Sequence, residues 1–185
     1  MFGRDRKAGI EELARIGQEF DFSVFAVHPY KVDGEAVSST QIRRALVAGD
    51  IERARKFLGY PYRLQGTVVP GDGRGKSIGF PTANVEVPGA MCLPADGVYA
   101  GWYARADGRL HPCAINIGRR PTFYEHADHS LLEAHLIDFS ADLYGERAEV
   151  SFEAFLRSER KFDGLDTLVA QLKLDVEAAR RATLG

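Results

Sequence analysis

The sequence predicts a small closed antiparallel β-barrel, finished by one helix and preceded by a piece of an α/β domain. Three observations carry this expectation. From Tyr60 to about Phe155, short runs of β-branched and aromatic residues recur between the turn signals Pro70-Gly71, Pro88-Gly89, Asp96-Gly97, Asp107-Gly108 and Tyr144-Gly145. From Leu165 the period changes, and Leu165, Leu168, Leu172, Val176 and Ala179 form one helical stripe. Before residue 60, helical patterns surround a single strong strand pattern, which cannot bury its own faces; such a piece normally belongs to a larger α/β domain, and here it either packs on the barrel or is left over from that domain.

Taken in order, Phe22, Val24, Phe25 and Val27 read as a buried strand ended by Pro29. Ser38 with Gln41 forms a possible capping box, opening a helix with Ile42, Ala45 and Leu46 inward and Gly49 as its stop. Asp50 suits the N-cap of a second helix, with Ile51, Ala54 and Leu58 on one face and Gly59 closing it. Strands are expected at Leu64–Val69, Val98–Ala104, Leu110–Ile117, Leu132–Phe139 and Ala148–Phe155, with Asp107-Gly108 as a tight hairpin turn. Closing such strands into a barrel removes their exposed edges.

Composition bounds the function. The 185 residues are 45% hydrophobic and 27% charged, a globular balance with enough chain for a core. The net charge of −2 lacks the basic excess of a nucleic-acid binder. Cys92 and Cys113 lie far apart in no CxxC pattern, which argues against a disulfide scaffold or a structural zinc site and leaves two ordinary thiols. No stretch approaches the roughly 18 apolar residues of a membrane span. The start, Met1 to Lys7, has no apolar run of a signal peptide. A soluble cytoplasmic protein without nucleic-acid or membrane partners is expected.

The densest chemistry lies between Pro70 and Asn84. Four glycines, Gly71, Gly73, Gly75 and Gly79, alternate with Arg74 and Lys76, so backbone N–H groups can face an anion. Common phosphate templates fail: a Walker A loop needs glycine where Pro70 stands, and a dinucleotide fingerprint needs it where Lys76 stands. A glycine-rich hairpin loop with solvated charges is the plain alternative. Thr82 and Asn84, two residues apart on an extended segment, present two hard neutral oxygens to one side, suited to Mg²⁺; a local turn is the alternative. His126 and His129 could be a metal pair, but no third ligand accompanies them.

These motifs resemble the riboflavin kinase family. The resemblance runs through Gly71-x-Gly73-Arg74-Gly75, Gly79-Phe80-Pro81-Thr82-Ala83-Asn84, Leu93–Tyr99, Asn116–Phe123, Glu133–Phe139 with Asp142–Gly145, and Phe155–Phe162 into the last helix. It covers about residues 60–183 in order. The segments Phe2–Gly9 and Ser38-Ser39-Thr40-x-Ile42-Arg43 are similar to the end of the FMN adenylyltransferase module that precedes the kinase in bacterial bifunctional FAD synthetases. That module's HxGH-type start has no counterpart, so FAD formation is not expected from this chain.

The resemblance implies a six-stranded Greek-key barrel for residues 60–185, after a fragment of an FMN adenylyltransferase-like α/β nucleotidyltransferase domain over residues 1–59. It implies ATP phosphates on Gly71, Gly73, Arg74, Gly75 and Lys76, Mg²⁺ on Thr82 and Asn84, and Glu133 as the base for the ribityl 5′-hydroxyl. Flavin would contact Phe80, Asn116, Gly118, Arg119, Pro121, Thr122, Arg157 and Phe162. Ser38, Ser39, Thr40 and Arg43 would be a vestigial adenylyltransferase phosphate motif. The expected activity is transfer of the ATP γ-phosphate to riboflavin, giving FMN. The alternative is a flavin- or nucleotide-binding barrel without chemistry, which would need neither Glu133 nor a metal.

Overall fold

The computed structural model describes residues 9–119 and 130–185. In chain order the elements are α1 (Ile10–Glu19), β1 (Lys31–Val32), β2 (Glu35–Ala36), α2 (Ser39–Val47), α3 (Ile51–Leu58), β3 (Arg63–Val69), α4 (Arg74–Ser77), β4 (Ala83–Glu86), β5 (Gly97–Ala104), β6 (Leu110–Arg119), β7 (Ser130–Leu136), β8 (Arg147–Arg157) and α5 (Leu165–Leu184). Two compact units divide between Val37 and Ser38.

The first unit holds α1 and a two-residue hairpin, β1 with β2, turned at Asp33 and Gly34, which both have positive φ. An Asp-Gly pair is the expected sequence of such a turn. The strand expected from Phe22 to Val27 does not form, and Phe25 and Val27 are 88% and 90% exposed. A segment apolar on both faces forms a buried strand only in a sheet whose two faces are both covered. Among the described residues no strand lies beside it.

The second unit is the barrel with three substantial helices. Ser38 caps α2 by accepting a hydrogen bond from the Gln41 amide at 3.3 Å, and Asp50 caps α3 by accepting from Arg53 at 3.0 Å. Gly59, at φ +81°, ends α3 in the left-handed conformation. The face of α3 turned inward is Ile51, Ala54 and Phe57; Leu58 is only half-buried.

Six antiparallel strands close in the order β3-β4-β7-β6-β5-β8. The meander β5-β6-β7, with β8 returning beside β5, is a Greek key. Five strands follow the expected runs; the sixth, β4, is a four-residue strand whose sequence reads only as an extended segment. Inward residues alternate along each strand and include Leu64, Val68, Tyr99, Ile115, Leu132 and Phe152, all at most 2% exposed. Helix α5 covers the outside of β5, β6 and β8, with Ala179 against Ala100 and Ile137. Leu165, expected in its apolar stripe, is instead exposed in the helix's first turn.

At one end of the barrel Arg105 reaches across to Glu146 with bonds of 2.8 and 3.0 Å. Hydrogen bonding from Arg105 holds the Glu146 carboxyl below its ordinary range, outweighing the opposing effect of burial. The folded state therefore binds this proton less readily than the unfolded chain does. Its contribution to stability is complete above the unfolded carboxylate's pKa of about 4.3 and is lost as pH falls through the folded value. Glu146→Gln should melt below wild type at neutral pH, with the gap closing in acid. Melting curves from neutral pH downward check this; a gap independent of pH would remove the ion pair as its source.

Candidate active site

Strand register assembles the site. In the β4–β7 pair Asn84 stands opposite Glu133, and in the β6–β7 pair Glu133 stands opposite Asn116. Asn116 pairs in turn with Val98 of β5, and Val98 with Arg157 of β8. These five residues, on five neighbouring strands, form one rung of the barrel, and all line a cavity of about 410 Å³. Side chains directly opposite on an antiparallel pair lie about 4.5–5.5 Å apart. Their sequence neighbours Ala83, Val85, Ile115, Ile117, Leu132 and Ala134 are buried in the core. The cavity thus lies on the outer wall of the barrel, where Glu133 and His135 share a half-buried face opposite Leu132, Ala134 and Leu136.

The glycine loop folds back on itself before it reaches this rung. Gly73, at φ +68°, starts the single helical turn α4, and the Phe80 amide donates to the Gly75 carbonyl at 2.8 Å. A β-carbon at Gly71 would overlap the Asn84 amide, so this glycine makes room for a site residue. His135 Nδ1 lies 2.8 Å from the Pro81 carbonyl, which can only accept, so Nδ1 carries the proton. The His135 ring also packs 5.5 Å from that of Phe80. The segment leading to Thr82 is thereby pinned to β7.

Asn84 is 6% exposed, and its side-chain oxygen is buried without a hydrogen-bond partner among the described residues. A buried acceptor left unpaired is costly, and a bound cation would satisfy it. Thr82 lines the same cavity. Two neutral oxygens beside a glycine-rich loop fit a hard divalent ion that keeps other oxygen ligands.

Most of the residues picked from the sequence converge on this cavity: Gly73, Arg74, Gly75, Phe80, Thr82, Asn84, Asn116, Gly118, Glu133, Arg157 and Phe162 all line it. Gly71 stands behind Asn84, and Lys76 is exposed outside the lining. Pro121, Thr122, His126 and His129, and the side chain of Arg119, lie outside the described residues. Ser38, Ser39, Thr40 and Arg43 are exposed in and beside the first turn of α2. Sequence reasoning missed Asp175, which lines the cavity from α5. Its signal was a carboxylate on the inward side of the last helix, three residues after Leu172 and four before Ala179. Cys113 is buried and Cys92 half-buried; loss of solvation raises both thiols above their ordinary range.

Comparison with known proteins bears on the family of the chain. The bifunctional riboflavin kinase/FMN adenylyltransferase of Listeria monocytogenes is 39% identical over 180 residues, covering 97% of this chain and 56% of its own length. The protein of the same description from Bacillus subtilis is 42% identical over 146 residues, 78% of this chain and 46% of its own. A crystal structure described as a macrolide-efflux protein from Streptococcus pneumoniae superposes with a TM-score of 0.83 at 36% identity, covering 97% of this chain and 57% of that one. Riboflavin kinase from Trypanosoma brucei gives a TM-score of 0.51 at 28% identity, covering 65% of this chain and 78% of that one. The chain spans about half the length of the curated relatives it matches. Residues 58–183 match the Flavokinase family model, described as riboflavin kinase. Because that match begins at the last residue of α3, takes in the whole barrel and ends within α5, the chain belongs to the riboflavin kinase family.

Proposed function

We propose that the chain transfers the γ-phosphate of ATP to the ribityl 5′-hydroxyl of riboflavin, yielding FMN and ADP. The observation that carries this is the rung itself: Glu133 is flanked by Asn84 on one side and Asn116 on the other, facing one cavity. The phosphate end is the glycine loop with Thr82 and Asn84, and the flavin end is formed by Asn116, Gly118, Arg157 and Phe162. A carboxylate between the two ends stands where the hydroxyl must meet the phosphoryl group.

In this reading the loop amides and Arg74 cradle the phosphates. The Thr82 and Asn84 oxygens would hold Mg²⁺, which would neutralise charge on the transferring group. Glu133 orients the hydroxyl and accepts its proton as the new O–P bond forms and the bond to the ADP oxygen breaks. His135 keeps the proton on Nδ1 and so holds the loop's Pro81 carbonyl at its place beside β7. The plane of the Arg157 guanidinium and the Phe162 ring offer a wall for the flat isoalloxazine.

We assign the region before residue 60 to the end of an FMN adenylyltransferase-like module. The bifunctional relatives support this, since their similarity extends over 97% of the chain. Ser38, Ser39, Thr40 and Arg43 would be that module's phosphate motif. No helix among the described residues is long and apolar enough to cross a membrane, and use of ATP suits a cytoplasmic location.

Incubation with riboflavin, ATP and Mg²⁺, followed by chromatographic separation of flavins, should show FMN; unchanged riboflavin would overturn the reading. Glu133→Gln keeps size but cannot take a proton. Its single-turnover rate should fall about 10²- to 10⁴-fold, with flavin binding by fluorescence titration little altered. A wild-type single-turnover rate would return Glu133 to the role of a surface carboxylate.

The metal assignment has its own test. Thr82→Ala and Asn84→Ala should shift the Mg²⁺ dependence of turnover to higher concentration while leaving the melting transition cooperative. Gly71→Ala should do the same by displacing the Asn84 amide. Normal Mg²⁺ dependence in all three variants would sink the assignment.

A further inference from the structure

Among the described residues, Asp175 is the one fully buried charged side chain, at 4% exposure. Its carboxylate accepts a two-pronged pair of hydrogen bonds from Arg157, Nε to Oδ1 at 2.9 Å and Nη2 to Oδ2 at 2.6 Å. Gln171, one turn earlier on α5, donates to Oδ1 at 2.7 Å and accepts from Arg160 through its own oxygen. Arg157 also donates to the Ser158 carbonyl at 3.0 Å. The guanidinium carbons of Arg157 and Arg160 lie 5.8 and 4.9 Å from the centre of the Phe162 ring. One turn of α5 therefore ties down the segment that leaves β8.

A buried ion pair is a poor device for stability, because apolar residues of the same volume serve as well or better. The inward face of α5 already carries Leu172, Val176 and Ala179. What a carboxylate adds is direction: the paired bonds fix the plane of the Arg157 guanidinium, which a point contact would leave free to turn. That plane and the Phe162 ring line the cavity on the side of α5. A flat polycyclic ligand gains most from such a wall when the wall is ordered before the ligand arrives.

We infer that Asp175 is a positioning residue for the flavin, holding Arg157 directly and Arg160 through Gln171 so that Phe162 stands ready against the isoalloxazine. This rests on the reading that riboflavin occupies the Arg157–Phe162 end of the cavity. The glycine loop is anchored on β4 and β7 instead, so the two substrates should respond differently to a change in α5.

The test is a split in steady-state constants. Asp175→Asn should raise the riboflavin KM, and the riboflavin Kd from flavin fluorescence, by about 10- to 100-fold, the scale of a binding group displaced by about 1 Å. The ATP KM should stay at wild type. Gln171→Leu leaves the ion pair whole and changes only a half-buried position; it should raise the riboflavin KM less, again without moving that for ATP, and it decides the matter if Asp175→Asn fails to fold. A merely structural role would lower the active fraction, reducing kcat with both KM values unmoved; that result, or equal shifts in both, would overturn the inference. Phe162→Ala and Arg157→Ala separate the levels. If they weaken riboflavin binding and Asp175→Asn does not, the inference alone fails. If neither affects riboflavin, the placement of the flavin fails with it.

Discussion

The whole site depends on the register of the barrel strands. A slip of one residue in β7 would turn Glu133 into the core and Leu132 toward the cavity, because successive side chains point to opposite faces. That slip is opposed by the burial of Ile115, Ile117, Leu132 and Ala134, none of which has measurable exposure. Each large aliphatic side chain contributes about 1.5–3 kcal/mol by leaving water. The hydrophobic core thus does more than hold the barrel closed. It sets which carboxylate faces outward, and at what distance from Asn84 and Asn116.

The same constraint is weakest at β4. This strand has four residues and only three paired positions with each neighbour. It nevertheless carries Asn84. Two contacts outside the ladder compensate: the missing side chain of Gly71, which gives the Asn84 amide its space, and the bond between His135 and the Pro81 carbonyl. The two ends of the cavity are therefore built on different principles. The end at the glycine loop is set by backbone approach and strand pairing, which suits a ligand read mainly through charge. The end at α5 is set by a side-chain network on a helix, which suits a ligand read through a large flat surface.

How much of this could be read in the sequence follows from the range of each interaction. The five longer strands and helices α2 and α3 were legible because period, caps and turn residues are local signals. Asp50 and Gly59 bracket α3 as expected. Phe22–Val27 was misread for the opposite reason: its pattern reports a preference for burial, and burial requires neighbouring strands that the pattern does not supply. At the site, the residue types were legible, but their adjacency was not. Asn84, Asn116 and Glu133 meet through pairing between distant strands, and nothing local encodes that they share a rung. Asp175 was missed, because its partner Arg157 lies on β8 and no local pattern pairs the two.

The helices before the barrel bear on the site more directly than their place in the chain suggests. The connection from β4 to β5 is one of two links that cross between non-adjacent strands, the other being β7 to β8, and it leads straight to Val98, which lines the cavity. It is not a tight hairpin, so its backbone groups need partners from elsewhere. Helix α2 provides one: the Ala95 amide donates to the Leu46 carbonyl at 2.9 Å. The Tyr99 hydroxyl, from within the barrel, then donates to the Ala95 carbonyl at 2.5 Å, and Tyr62 likewise holds the Cys92 carbonyl at 2.7 Å. Ala45, Leu46, Ile51 and Ala54 join Leu64, Tyr99 and Phe152 in one continuous core. The compact unit that contains the barrel accordingly begins at Ser38. Helix α2 holds the crossover against the barrel wall, with α3 packed behind it on α2 and β8, and so bears on where β5 enters the rung that carries Glu133.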